Sequence, residues 1–546
     1  MKEGIHRLAA SQRIKTLFVA ALHRRPGNNT LHCRLRTQIT FLARIAIADR
    51  PSGKENNMWT RKCFADEDKP IQSPIPTEIF SNEEFIPPPQ SPQQQRWEAR
   101  IAEMSDQCAK KLGLSRRSFL QTTGGMAVAM LAYNEVFGKT YEVDPIEALD
   151  PAAYAEKWPK TEFIFDNQTH HVDVESRWFE ASDAGKQAAD FLRNFRPNAN
   201  STAERLALLN EAHYIKELFM DSDTMMAIIS GVPTAQWTEN ILPPDKMVKT
   251  RNDINQMAGN TQRMLSHGLM RPNMGKSELD EMERQVKTLK INSWKMYPGS
   301  VIGDGAYWLD DEKMTYPFWE RSKKLGVKNI CIHKGLPLGL FNEEHCHPKD
   351  VEKVAKDFPD LNFIIYHSGW NPTAGGGRRR EGAEAGPQYI PWCSELIDIV
   401  KRNDLRNVYF EVGSTWNGLS GGFGGPDVPA MHFLGQVMNL PGGEDRIIWG
   451  TDSIWGGSPQ SQIERLRRFQ ISDEVAQKYG YKKLTPEIKA KIFGLNAARL
   501  YNVDVKAQRK AIQGDKIAEM REEYMEAPRP SNTQFGWVWR TRGQRG

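Results

Sequence analysis

Short apolar runs rich in β-branched and aromatic residues recur from about residue 160. Each is followed by a stretch in which apolar positions return every three or four residues. Eight such runs stand out: Phe163–Asp166, Met225–Ile229, Arg263–Ser266, Ile291–Tyr297, Asn329–Ile332, Phe363–Tyr366, Val408–Glu411 and Arg446–Trp449. Between them lie amphipathic segments such as Ser277–Lys290, Tyr316–Leu325, Pro348–Phe358 and Glu395–Arg402. Eight strands alternating with helices predict an α/β fold, a (β/α)8 TIM barrel over residues 160–502. A doubly wound open sheet is the alternative, but no GxGxxG follows the first run, which removes its usual dinucleotide reading. Thr485-Pro486-Glu487 supplies an N-cap, a first-turn proline and an early acid, predicting a helix through Leu500. Residues 503–546 read as a C-terminal tail, helical over Lys506–Met525 and irregular over Pro528–Gly546, with Trp537 and Trp539 expected to pack back on the barrel.

Ahead of the barrel, residues 1–104 read as a disordered or mis-started extension. Within it, residues 66–98 form a Pro/Gln-rich linker containing Pro87-Pro88-Pro89 and Gln93-Gln94-Gln95. Residues 105–140 are different. Ser115-Arg116-Arg117-Ser118-Phe119-Leu120 precedes a short Gly-containing apolar stretch, Thr122–Ala132, and this resembles a twin-arginine export signal. The resemblance implies a twin-arginine translocase as partner and export to a bacterial periplasm; the alternative is an amphipathic helix start with a chance arginine pair. A signal this far into a chain is unusual. Met58 and Met104 are therefore candidate starts, with residues 1–57 read as upstream translation or, alternatively, an Arg-rich organellar presequence.

Composition narrows the function. The chain has 546 residues, 39% hydrophobic and 26% charged. No apolar run reaches the roughly 18 to 20 residues of a bilayer-spanning helix, which excludes a polytopic membrane protein. The net charge of +5 sits at one end: residues 1–57 carry 11 Lys and Arg against Glu3, Asp49 and Glu55, leaving the remainder at −3. The folded part has no basic footprint for nucleic acid. Six scattered cysteines without a CxxC exclude a disulfide framework and a zinc ribbon.

In a (β/α)8 barrel, chemistry gathers where strands end. The polar residues there are Asp166, Gln168, His170 and His171 after the first run, His267 after the third, Lys295 on the fourth, His333 after the fifth, His367 after the sixth, Glu411 on the seventh and Asp452 after the eighth. Gln168 and His170, two apart, share a side of an extended chain that His171 does not. Imidazoles with one carboxylate make an N/O donor set suited to Zn(II), with Mn(II) or Fe(II) as alternatives.

Phe165-Asp166-Asn167-Gln168-Thr169-His170-His171, Ile332-His333, Tyr366-His367-Ser368-Gly369, Trp449-Gly450-Thr451-Asp452 and Ile492-Phe493-Gly494-Leu495-Asn496-Ala497-Ala498-Arg499-Leu500 together resemble the amidohydrolase-related branch of the amidohydrolase superfamily. That branch includes metal-dependent hydrolases and non-oxidative decarboxylases. The resemblance implies one divalent metal held by His170, His333 and Asp452, with His367 as the acid/base residue and Asp452 alternatively the base on metal-bound water. It departs at Gln168, where the family usually has the first histidine of His-x-His; a neutral amide oxygen in that place implies weaker metal binding, recruitment of water or Asp166 as a ligand instead, or no metal. Lys295 is expected to contact a substrate anion, with ion pairing to Glu411 or Asp452 and a metal-bridging carbamate as alternatives.

Several further features carry lesser expectations. His345-Cys346-His347 reads as a loop and helix cap, and His267 as either a pocket or a packing residue. The loops Gly369–Pro387, with Arg378-Arg379-Arg380, and Gly413–Pro426 follow strands on the active face, where Trp370, Trp416 and Trp455 are expected to line an aromatic pocket. The reading is a metal-dependent hydrolase acting on an amide, ester or lactone-like bond of a small, aromatic or carboxylated molecule, in a chain compatible with homo-oligomerisation. Decarboxylation of an aromatic or unsaturated carboxylate at the same site is the alternative, and a non-catalytic ligand-binding barrel is the third reading.

Overall fold

All eight expected strands form and join in sequence order into one parallel sheet: β1 (Phe165–Thr169), β2 (Met226–Ile229), β3 (Met264–Leu269), β4 (Ser293–Met296), β5 (Asn329–His333), β6 (Asn362–Tyr366), β7 (Val408–Glu411) and β8 (Ile447–Ile448). The protein is seen in a computed structural model that describes residues 57–61, 73–77, 89–176, 206–232, 241–300, 305–337, 341–371, 386–422, 428–528 and 537–541, with parts of 178–189. The ends of the sheet meet where Asn167 donates its backbone N–H to Trp449 and Thr169 bridges Ser453. The structure is thus a nearly closed (β/α)8 barrel.

Period-two alternation sorts the strand residues. Cys331, Ile364, Tyr366 and Ile448 share one buried cluster with Phe165, Met226 and Leu265, while Ile330, Ile332, Phe363, Ile365 and Ile447 share another with the surrounding helices. His333 therefore follows Cys331 inward. The Thr485-capped helical run extends to Leu500 as expected, with Ala497 and Ala498 in the same cluster as the strand residues. The tail departs from expectation twice. Lys506–Met525 is two helices, Val505–Gln513 and Lys516–Met525, because Asp515 caps the second after Gly514 ends the first. The segment expected to be irregular contains a strand, Trp537–Thr541, paired antiparallel with Asn57–Arg61, so Met58 lies inside a ladder.

The region before the barrel also differs. Pro92–Leu112 is a helix, α1, which takes in Gln93-Gln94-Gln95. A Pro in the first turn and a Ser91/Gln94 capping box start it, signals that the linker reading overlooked. The export-like stretch is folded as well: Arg116–Leu120 is a short helical turn capped by Ser115, and Thr123–Phe137 is a second helix, α2, capped by Thr122. Phe119, Met126, Met130 and Tyr133 are all buried, each large side chain stabilising the fold by about 1.5–3 kcal/mol. Among the described residues no helix is long and apolar enough to cross a membrane.

Candidate active site

The two residues singled out for proton chemistry sit on strained backbone. His367, with Ser368 after it, and Asp452 have φ of +64°, +49° and +59°, the left-handed region that side chains with a Cβ rarely adopt. Neighbours hold them there. The Glu411 carboxyl group accepts from the His367 backbone N–H at 3.1 Å, Ser368 Oγ donates to the Glu411 backbone carbonyl at 2.7 Å, and Thr415 Oγ1 donates to the His367 carbonyl at 2.7 Å. Asp452 N–H donates to the Gln168 carbonyl at 2.9 Å, and buried Asp166 accepts from the Thr451 backbone N–H beside it at 3.1 Å. Asp166, considered as a spare ligand, is thus committed to holding the turn.

The side chains then meet in successive contacts. His170 Nε2 lies 3.1 Å from Asp452 Oδ1, and Gln168 Nε2 donates to the same oxygen at 2.9 Å. Gln168 Nε2 is 3.5 Å from His367 Nε2, which is 3.2 Å from His333 Nδ1. Ser414 Oγ, on the helix α3 (Gly413–Asn417), donates to Asp452 Oδ2 at 2.7 Å. A carbonyl can only accept, so His333 Nε2, 3.1 Å from Leu336 O, carries that ring's proton. The lone pair on His333 Nδ1 then accepts from His367 Nε2–H, and His367 Nδ1 is left with a lone pair and no partner.

Charge follows burial. Desolvation lowers His367 to about 3 and drives His333 well below the ordinary imidazole range, so both rings are neutral at pH 7. Burial works against the Asp452 carboxylate, but the bond from His170 and the nearby His367 hold it below the usual range and it stays ionised. Glu411 goes the other way, pushed by burial up to about 8. Room for it comes from two glycines: a Cβ on Gly450 would lie 1.8 Å from Glu411 Oε1, and one on Gly413 would lie 2.6 Å from Gln168 Oε1. These glycines and Ser414 are site-forming residues that the sequence reading passed over; Gly450 was in view only as part of Trp449-Gly450-Thr451-Asp452.

The donors present suit a divalent metal, and His333 has the arrangement of a ligating imidazole, one nitrogen tied to a backbone carbonyl and the other free to accept. Their placement does not close around an ion. Among the described residues no three His, Cys, Asp or Glu side chains are arranged to hold one. His170 and Asp452 adjoin, His333 is turned to His367, and the Gln168 amide stands between the two pairs.

Lys295 is fully buried on β4 and its Nζ has no hydrogen-bond partner. It makes no ion pair with Glu411 or Asp452; the ammonium rests 3.5 Å from the Tyr366 ring centroid and 4.8 Å from that of Tyr297, and burial lowers it to about 7. His267 packs inside the barrel, its ring nitrogens 2.7 Å from Ser293 Oγ and 2.8 Å from Tyr366 OH. His171 faces away, bonded to Thr250 at 2.8 Å. In His345-Cys346-His347, His347 caps the next helical turn and meets Glu395 at 2.7 Å. Trp455 stacks on His170 at 5.2 Å, whereas Trp416 is buried and donates to Gln462 O at 3.0 Å. Arg378, Arg379 and Arg380 lie outside the described residues.

A family model described as Amidohydrolase matches residues 165–503. No curated protein matches the chain. Among solved structures, the chain is similar to 2,6-dihydroxybenzoate decarboxylase from Rhizobium at 17% identity, covering 63% of this chain and 100% of that one, with a TM-score of 0.32. It is also similar to 4-oxalomesaconate hydratase from Rhodopseudomonas palustris at 17% identity, covering 64% and 98%, with a TM-score of 0.35. A third, 5-carboxyvanillate decarboxylase from Novosphingobium aromaticivorans complexed with manganese and 4-hydroxy-3-methoxy-5-nitrobenzoic acid, is 13% identical over 63% and 97%, with a TM-score of 0.38.

Proposed function

Since this chain belongs to the amidohydrolase family, we propose that it is an enzyme acting on a small aromatic or unsaturated carboxylate, and that it hydrolyses an amide, ester or lactone-like bond in that molecule. The observation that carries the reading is the unpaired Lys295 ammonium buried in the same barrel mouth as an ionised Asp452 and a neutral His367. A buried cation met only by aromatic ring faces, with no hydrogen-bond acceptor, is costly, and a substrate carboxylate is the group that satisfies it. The lone pair on His367 Nδ1 takes a proton from the attacking water and returns it to the leaving group. Asp452, fixed by Gln168, His170 and Ser414, supplies the negative charge that favours the imidazolium formed on the way. No step is routed through a metal, because the donors do not gather around one point.

A second reading, loss of carbon dioxide from the same substrate, is favoured by Glu411. Raised to about 8, its carboxyl is largely protonated at pH 7 and offers the acid that must deliver a proton to carbon. Incubation of aromatic carboxylate esters, amides and free acids in ¹⁸O-water separates the two. Hydrolysis places one heavy oxygen in the product acid and releases no carbon dioxide; carbon dioxide without heavy oxygen in the organic product supports the second reading instead.

A further inference from the structure

The segment that reads as an export signal is built into the barrel's own packing. In α2, residues Gly124 to Met130, Ala132 and Tyr133 are buried, and they share one apolar core with Phe410, Val437 and Phe469. The glycines that break its hydrophobicity are contact points: a Cβ on Gly124 would lie 2.7 Å from Ala148 O, and one on Gly125 would lie 2.6 Å from Leu120 Cα. Trp97 on α1 donates its indole N–H to Ala129 O at 2.9 Å, tying the two helices together.

From there the contacts run to the site. Trp97, Tyr133, Tyr141, Phe469 and Trp416 form a chain of edge-on rings with centroids 5.1, 5.3, 6.5 and 5.2 Å apart. Residues 140–142 form a short ladder with 468–470: Glu142 N–H donates to Arg468 O, Gln470 N–H donates to Thr140 O, and Tyr141 bridges Phe469. Beside it the buried Arg468 and Glu147 pair at 2.6 Å. Tyr141 OH donates to Ser420 O at 3.4 Å; buried Arg465 donates to the same oxygen at 3.0 Å and reaches Asn417 as well. Trp416, Asn417 and Ser420 follow directly on Ser414, the donor to Asp452.

We propose that α1 and α2 are a permanent part of the mature protein, in which the export-like motif is an internal packing element, and that through Tyr141 they brace the loop after β7 that positions Asp452. Nothing in this depends on which bond the site cleaves. Two features make retention necessary: removing residues up to Phe137 would strip the rings from Tyr141, and it would expose the apolar surface that α2 now covers.

Intact-mass and N-terminal analysis of the full chain, expressed and purified from each cell fraction, is expected to find residues 92–137 in the folded protein. A stable folded species beginning after Phe137 overturns the proposal. Hydrogen exchange of the same protein is expected to protect peptides from 126–133 as strongly as those from β6; exchange at the rate of a free peptide overturns it. In Tyr141→Ala, exchange in peptides from 413–422 is expected to rise at least tenfold with β5 peptides unchanged, and Tyr141→Phe, which keeps the ring, is expected to restore most of the protection. If Tyr141→Ala is too unstable to purify, Tyr141→Phe alone should still quicken 413–422 about threefold to fivefold over β5, the worth of one neutral hydrogen bond. No difference between 413–422 and β5 in either variant overturns the bracing role.

Discussion

Gln168 and Asp452 are bonded to each other twice, Asp452 N–H to the Gln168 carbonyl and Gln168 Nε2 to Asp452 Oδ1, both at 2.9 Å. The first bond ties the turn after β8 to β1 and the second aims the carboxylate, so barrel closure and site geometry depend on the same pair. Gln168→Ala keeps the backbone bond and loses the side-chain one. A hydrogen bond to a charged acceptor is worth about 1.5–3 kcal/mol. Denaturant unfolding should show a loss of that size, with the m-value unchanged because the barrel still closes.

The same glutamine is expected to set metal content. His170 and Asp452 supply two strong donors, and an amide bonded to Asp452 supplies a poor third. Wild-type protein dialysed against metal-free buffer should hold well under one equivalent of Zn, Mn or Fe by elemental analysis. Gln168→His adds an imidazole beside Asp452 and should raise the retained metal toward one equivalent. Equal, stoichiometric metal in both proteins would show that Gln168 does not set affinity.

Lys295 should cost stability and serve binding. Its folded pKa of about 7 lies below the ordinary lysine value of 10.5 because burial penalises the charge. Below pH 7 the side chain is charged in both folded and unfolded states, so the full penalty applies. Between pH 7 and 10.5 the unfolded chain binds the extra proton, and the penalty fades as pH rises. Lys295→Met should therefore stabilise the fold at pH 6, by on the order of 3 kcal/mol, with the gain disappearing toward pH 10.5. The same variant should raise KM for carboxylated substrates more than it changes kcat. A stabilisation independent of pH would mean that the ammonium is not the cause.

Gly450 tests the space around Glu411. A Cβ there would lie 1.8 Å from Glu411 Oε1, an overlap that displacement of the buried Glu411 carboxyl, or of β7 or β8, must relieve. Overpacking of this kind costs about 1–3 kcal/mol. Gly450→Ala should lower Tm accordingly and displace His367, whose backbone Glu411 holds, so kcat should fall with it. Retained kcat alongside the lower Tm would separate Glu411 from the positioning of His367.

The fold was legible in the sequence because each strand lies in a short apolar run rich in β-branched and aromatic residues and the runs alternate with helical stretches, so pattern and order alone give the barrel. Placement of His170, His333, His367, Lys295 and Asp452 followed from strand ends. Other features were out of reach for physical reasons. Nothing local tells whether Gly413 and Gly450 make space or turns, since the nearest atoms they accommodate, Gln168 Oε1 at Gly413 and Glu411 Oε1 at Gly450, come from elsewhere in the chain. The packing of the export-like segment was equally hidden: an export signal and a packed helix are both short, apolar and glycine-containing, and the contacts with Ala148, Leu120 and Trp97 come from the fold. Whether the donors converge was hidden for a related reason, because ligand type is a property of sequence and convergence is a property of rotamers.

Ser414 offers the most direct test of the Asp452 charge. Its hydroxyl donates to Oδ2 at 2.7 Å and, with the bond from His170, keeps the carboxyl ionised against the desolvation that opposes it. A carboxylate whose folded pKa is depressed contributes stability above its unfolded value and loses it as pH falls through the folded one. Ser414→Ala removes one of the bonds that depress it, so the folded pKa should rise. Acid unfolding should then begin at a higher pH than in the wild type. If an ionised Asp452 is needed for turnover, the acidic limb of kcat/KM should shift upward by the same amount while the alkaline limb stays in place. A drop in kcat with both limbs unmoved would make Ser414 a support for the loop alone and leave the charge of Asp452 to His170 and Gln168.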